Sequence, residues 1–246
     1  YGIKMHGRIE ENQLRNTLSI NSEAVKLKSD ALYNYNLKTP QTTVLANIER
    51  LDLNLAGFNF GAKKKEFKGI ISSNIKGKSI DSLVGVINIS SASIKNEIQS
   101  EILNPLSITL KSEDNKNYLR IENTDCISGE LSGEFNMSQL SSLFQSTFHE
   151  IYPFLPKVQK PKNHNIKFQL NIYKKLLNTL YPNFSTINDV VLNGKINSND
   201  SIAKFVIDAP LIKYKQIQLE NLHFEFDTKN PLQNSYLSVT NISNEF

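Results

Sequence analysis

The sequence predicts a mainly-β chain: repetitive strands with one apolar and one polar face, and two short amphipathic helices. Three observations predict it. Apolar and polar residues alternate over long stretches, clusters of turn-forming residues separate those stretches, and only two segments carry helical spacing.

The alternation is clearest in four places. Leu51, Leu53 and Leu55 alternate with Asp52 and Asn54, and Ile166, Phe168, Leu170 and Ile172 with Lys167, Gln169 and Asn171. Val190, Leu192 and Ile196 do the same around Asn193, Lys195 and Asn197, and Leu222, Phe224 and Phe226 around His223 and Glu225. Successive strand side chains point to opposite faces, so each segment reads as a half-buried strand with one greasy and one wet face. Ser112–Asn117, Asn193-Gly194, Asn197–Asp200 and Thr228–Pro231 supply turns, because Asn, Asp, Gly and Ser tolerate or cap turn conformations. Asparagine occurs 30 times in 246 residues. Turns take part of that excess, and the wet strand faces take the rest. Two places break the period, Leu55 to Phe58 across Ala56-Gly57 and Leu219 to Leu222 across Glu220-Asn221. A β-bulge or tight turn is expected at each.

Two segments predict helices. Ser138–Tyr152 places Leu140, Leu143, Phe144, Phe148, Ile151 and Tyr152 on one side, with Ser138 as N-cap and Pro153 as terminator. Tyr173–Tyr181 places Leu176, Leu177, Leu180 and Tyr181 opposite Lys174 and Lys175, and Pro182 ends it. Each follows a strand and closes on Tyr-Pro, a weak internal repeat. Both are expected to pack on the sheet, since the first carries Ser and Gln where a membrane-surface helix carries Lys and Arg. Pro153, Pro156 and Pro161, with Lys157, Lys160 and Lys162 between them, mark a linker-like segment at 153–163. It separates a β-rich section at 1–152, ending in a helix, from a second at 164–246 with a short helix.

Composition excludes several function classes. A single cysteine rules out an internal disulfide and any metal site built on several thiolates. The net charge of +4 is mild, and Lys63-Lys64-Lys65 with Lys68 is the only tight basic run, so no nucleic-acid footprint is read. No apolar stretch approaches the roughly 20 residues of a membrane helix, and with Tyr1 first, the chain reads as a piece of something longer. His6, His149, His164 and His223 are scattered, Cys126 lacks a nucleophile signature, and no phosphate- or dinucleotide-binding glycine pattern occurs. Glu10-Glu11 and Glu113-Asp114 sit in polar surroundings that do not raise a pKa. The five Asn-x-Ser/Thr sequons, beginning at Asn88, are what chance gives in so Asn-rich a chain. The expectation is a non-enzyme with no cofactor and no metal.

The strands present more apolar surface than two short helices can cover. A bare sheet face is an aggregation hazard, so a second sheet, closure into a barrel, or an apolar ligand must cover it. Val190-Val191-Leu192-Asn193-Gly194-Lys195-Ile196, Ala209-Pro210-Leu211-Ile212-Lys213-Tyr214 and Leu219-Glu220-Asn221-Leu222-His223-Phe224 resemble the repeat of the AsmA-like superfamily, in particular its TamB-like translocation-and-assembly members of Bacteroidota. Gly129–Asn136, with the helix that follows, and Leu51–Leu55 are similar to it as well.

The resemblance implies an elongated, repetitive antiparallel sheet folded into an open trough, a β-taco with an apolar interior, part of an inner-membrane-anchored periplasmic protein. It implies phospholipid acyl chains as cargo and outer-membrane assembly as the role. The implied partner is an Omp85-type, TamA-like outer-membrane barrel, reached through parts of the protein not present here; membrane contact likewise falls to missing termini. The expected groove lining is Leu51, Leu53, Leu55, Phe58, Phe60, Ile166, Phe168, Leu170, Ile217, Leu219, Leu222, Phe224 and Phe226. Aspartate at Leu53 or Phe224 is then expected to block lipid passage while the fold survives. The alternative is a structural or adhesive β-sandwich module of a cell-envelope or surface protein, with the same residues as a dry core between two sheets. A polysaccharide hydrolase would need paired carboxylates in a cleft, and the sequence offers no such pair.

Overall fold

The computed structural model describes residues 2–35, 37–56, 64–151, 156–181, 184–186, 189–228 and 234–244. The first half is a run of hairpins: β1 (Gly2–Glu10), β2 (Gln13–Asn21), β3 (Val25–Asn34), β4 (Gln41–Asp52), β5 (Glu66–Lys76), β6 (Val84–Lys95), β7 (Ser100–Leu103), β8 (Leu106–Glu113), β9 (Lys116–Glu122) and β10 (Ile127–Glu134). Helix α1 (Leu140–Ile151) follows, led in by a 3₁₀ turn at Met137–Gln139. Then come β11 (Asn165–Ile172), α2 (Lys174–Leu180), β12 (Phe184–Thr186), β13 (Val190–Asn197), β14 (Ile202–Tyr214), β15 (Ile217–Asp227), β16 (Asn234–Ser238) and β17 (Asn241–Asn244).

All seventeen strands join one sheet, and every pairing is antiparallel between strands near each other along the chain. The segments β7 and β8 run in line beside β6, β12 and β13 beside β14, and β16 and β17 beside β15. Among the described residues the first strand pairs only with β2, and β16 and β17 only with β15, so the sheet is open and not a barrel. Local chemistry sets the hairpins. Asp114 and Asn115 both take positive φ in the two-residue turn between β8 and β9, the conformation that matches strand twist.

The sheet is curled into a trough around α2. Leu176 and Leu180 of α2 pack with Leu51, Leu53, Phe67, Ile94 and Leu103 on β4–β7 and the turn after β4. Leu177 packs with Val190, Ala209, Ile212 and Leu222 on β13–β15. On a flat sheet β4 and β14 would lie roughly 40 Å apart, far beyond the ~10 Å thickness of a helix. Bulges allow the bend. Register shifts occur between Ile48 and Leu51 in β4 and between Lys68 and Ile70 in β5, and Ser91 in β6 has φ 48°. Each bulge also resets the period of two, so the apolar residues on either side of it keep one face.

The expected break from Leu55 to Phe58 runs into residues outside the described ones, and the chain leading to it turns at 53–56. Strand β4 ends at Asp52, whose carboxylate accepts the backbone N–H of Asn54 (3.0 Å) and Leu55 (3.1 Å). Asp52 is buried for that purpose, although alternation placed it on the wet face. The second break, at Asn221, takes φ 51° opposite Pro210 with the register intact. Both helices form where expected, with a different cap on the first. The N–H and hydroxyl of Ser138 donate to the carboxylate of Asp81, at 2.8 and 3.0 Å, from the turn between β5 and β6. Pro153 and Pro182 lie outside the described residues.

Candidate functional site

Register builds the site. Residues directly opposite across an antiparallel pair share a face, so the ladders can be followed from edge to edge. One row reads Gly7, Asn16, Ala31, Val44, Ser73, Ile87, Ile108, Ile121, Gly129, Leu170, Leu192, Ile207, Phe224, Leu237. A neighbouring row runs from Ile9, Leu14 and Tyr33 through Leu110, Leu119, Leu131 and Phe168 to Phe205 and Phe226. The opposite face reads Arg15, Leu32, Thr43, Asn74, Val86, Thr109, Arg120, Glu130, Gln169, Asn193, Val206 and Glu225 along one such row, polar at all but three positions. The sheet thus has one apolar face and one polar face over its full width.

The apolar face is covered unevenly. Across β9–β15 it is dry: Leu131, Ile166, Phe168, Ile196, Ala203, Phe205 and Phe226 are buried with Leu143 of α1. Aromatic rings lock the layer. Phe144 meets Phe168 edge-on at 5.4 Å, and Phe148 stacks on Phe205 at 5.2 Å. The ring of Phe168 lies over Gly194, where an added Cβ would come within 2.3 Å of it. Across β1–β6 the same face stays open outside the Leu51, Phe67 and Ile94 end, which α2 covers. Leu14, Leu18, Ile20, Leu27, Val44, Ile48, Ile71, Ile87 and Ile89 are all only half-buried, and none belongs to a dry cluster. At the rim, Ile3, Met5 and Ile9 of β1 are exposed, Ile3 by 74%. Asn16, Ser29, Thr42 and Ser73 are polar interruptions of this wall.

The expected lining residues divide accordingly. Ile166, Phe168 and Phe226 lie beneath α1, and Phe224 packs against that layer. Leu51 and Leu53 pack on α2, and Leu219 and Leu222 line its other side. Leu170 is half-buried in the full-width row; Leu55 and Ile217 are exposed. Phe58 and Phe60 lie outside the described residues. Because Leu53 and Phe224 are packed, an aspartate at either would disturb the fold as well as any passage, which corrects the expectation that such a variant survives intact. The open wall on β1–β6 was not singled out from the sequence. Its signal was present: Ile3, Met5 and Ile9, then Leu14, Leu18 and Ile20, follow the same period.

Groups of chemical interest have structural partners. Cys126 is buried, which pushes its thiol up to about 12, and its N–H donates to Asn123 Oδ1 at 2.5 Å. Burial works against ionised Asp125, but Lys175 (2.8 Å) and the N–H of Asn104 outweigh it and hold its carboxyl below the ordinary range. His223 Nδ1 lies 2.6 Å from Asp208 on the polar face. Among the described residues no three ligand-type side chains come together as a metal site, and no helix is long and apolar enough to cross a membrane. Protein-family models, curated proteins and solved structures give no match to this chain.

Proposed function

We propose that this chain is a non-enzymatic section of a periplasm-spanning trough. In this reading it conducts phospholipid between the inner and outer membranes and supports outer-membrane assembly. The observation that carries the reading is the largely apolar face of an open sheet, left half-exposed over β1–β6 outside the part that α2 packs on. Acyl chains lying on that wall leave water at a gain of about 0.8 kcal/mol per methylene shielded, while headgroups stay at the rim. Movement along it needs no reacting group. Aliphatic residues of similar size repeat from strand to strand, so no position binds a chain much more tightly than the next. The partner barrel, Omp85-type and TamA-like, would be met through other segments of the protein. An adhesive sandwich needs a second sheet over this face, and the strands described here form one sheet.

Native mass spectrometry of the purified chain tests the proposal. Bound phospholipid, reduced in an Ile71→Asp/Ile87→Asp variant that still melts cooperatively, is the expected result. A lipid-free wild-type chain after expression in a cell envelope would overturn it.

A further inference from the structure

We propose that the polar face carries a binding site for phosphate groups, centred on Lys167 and Lys195. The site lies on the side of the sheet away from the apolar wall and does not depend on the lipid reading. Lys167 of β11 is directly opposite Lys195 of β13, which is directly opposite Lys204 of β14. Three ammonium groups therefore stand abreast on adjacent strands about 4.8 Å apart. Like charges directly opposite destabilise a sheet, so the arrangement costs stability unless an anion offsets it.

The three lysines are not equivalent. Lys204 is hydrogen-bonded to Glu225 and lies 3.7 Å from Asp227, and those carboxylates answer its charge. Among the described residues Lys167 and Lys195 have no carboxylate within ion-pair distance, and both are exposed. The row is also the wall of a groove of about 470 Å³ whose floor includes Gly194, with the amides of Gln169 and Asn193 beside the lysines. That volume falls within the usual range of small-ligand sites. Two ammonium groups flanked by amide donors suit an anionic, oxygen-rich phosphate group. Glu130 also lines the groove. The phosphate could come from a free ion or from a lipid headgroup.

The test uses the intact chain at low salt, with sodium pyrophosphate against sodium chloride at equal ionic strength, and phosphatidylglycerol vesicles in a second arm. The wild type is expected to gain about 2–4 °C in Tm with pyrophosphate over chloride. Lys195→Gln is expected to melt slightly above wild type without anion, because the repulsion is relieved, and to lose the pyrophosphate gain. Lys4→Gln, on the distant edge strand, should keep it. Vesicle binding weakened at least threefold by Lys195→Gln would identify headgroups as the source; a pyrophosphate gain alone would identify the free ion. Equal Tm in pyrophosphate and chloride, with vesicle binding unchanged by Lys195→Gln, would overturn the proposal.

Discussion

The two halves of one apolar face have different fates. Over β9–β15 the face is sealed by α1, and Phe205 at its centre is 1% exposed. Over β1–β6 the same ladder rows continue with Leu, Ile and Val that no dry cluster includes. The alternation is the same in both halves; what differs is how much of the face a helix covers, α1 lying over the rows of the second half while α2 reaches only the Leu51, Phe67 and Ile94 end of the first. Stability is therefore concentrated in the second half, and surface able to take an apolar ligand in the first.

The sharpest break of this contrast is a pair of alanine substitutions. Phe205→Ala should cost about 3–5 kcal/mol, as for a large aromatic removed from a packed core. Ile87→Ala on the open wall should cost about 1 kcal/mol, because a half-exposed side chain leaves no sealed cavity. Urea unfolding measures both, and equal losses would erase the distinction. Gly194→Ala should cost about 1–3 kcal/mol, since its Cβ would sit 2.3 Å from Phe168 Cζ and 2.9 Å from the carbonyl oxygen of Lys204. The same substitution at Gly7, where a Cβ meets nothing within 4 Å, should be close to neutral.

Smaller changes probe the elements that close the trough. Asp81→Ala removes the acceptor of two Ser138 hydrogen bonds and should cost about 1 kcal/mol, as for a lost helix cap. Amide exchange at Ser138 should quicken while that of β11 is unchanged. Smallest is an acid effect at the β7–α2 junction. The Asp125 carboxyl is held below its usual range, so its stabilising contribution is complete above the ordinary value of about 3.9 and is lost as pH falls through the lowered one. Protection of the Asn104 amide, which donates to Asp125, should drop across that window, and Asp125→Asn should abolish the pH step.

Much of this architecture is legible in the sequence, because period two survives wherever a sheet has one wet face. Asn165–Ile172 and Val190–Asn197 are strands as alternation requires, and both helices appear at their 3.6-residue spacing. What escapes is long-range. Nothing local shows that Asp81 caps a helix 57 residues later, or that one seven-residue helix holds two distant parts of the sheet together. The lining residues chosen from the strongest alternation are mostly the packed ones, since a helix-covered strand and an open one share the same pattern. Ile3, Met5 and Ile9 belong to a weaker run, interrupted by Gly7, yet they form the exposed rim.

The central claim is that acyl chains occupy the open wall and not the sealed half. Photo-crosslinking tests it most directly: a benzophenone amino acid is placed at Ile87, at Asn88 on the opposite face of the same strand, and at Phe224 beside the sealed layer, in cells carrying radiolabelled phospholipid. The account predicts a lipid adduct at Ile87, little at Phe224 and none at Asn88. Equal labelling at Ile87 and Asn88, or labelling at neither, would contradict it.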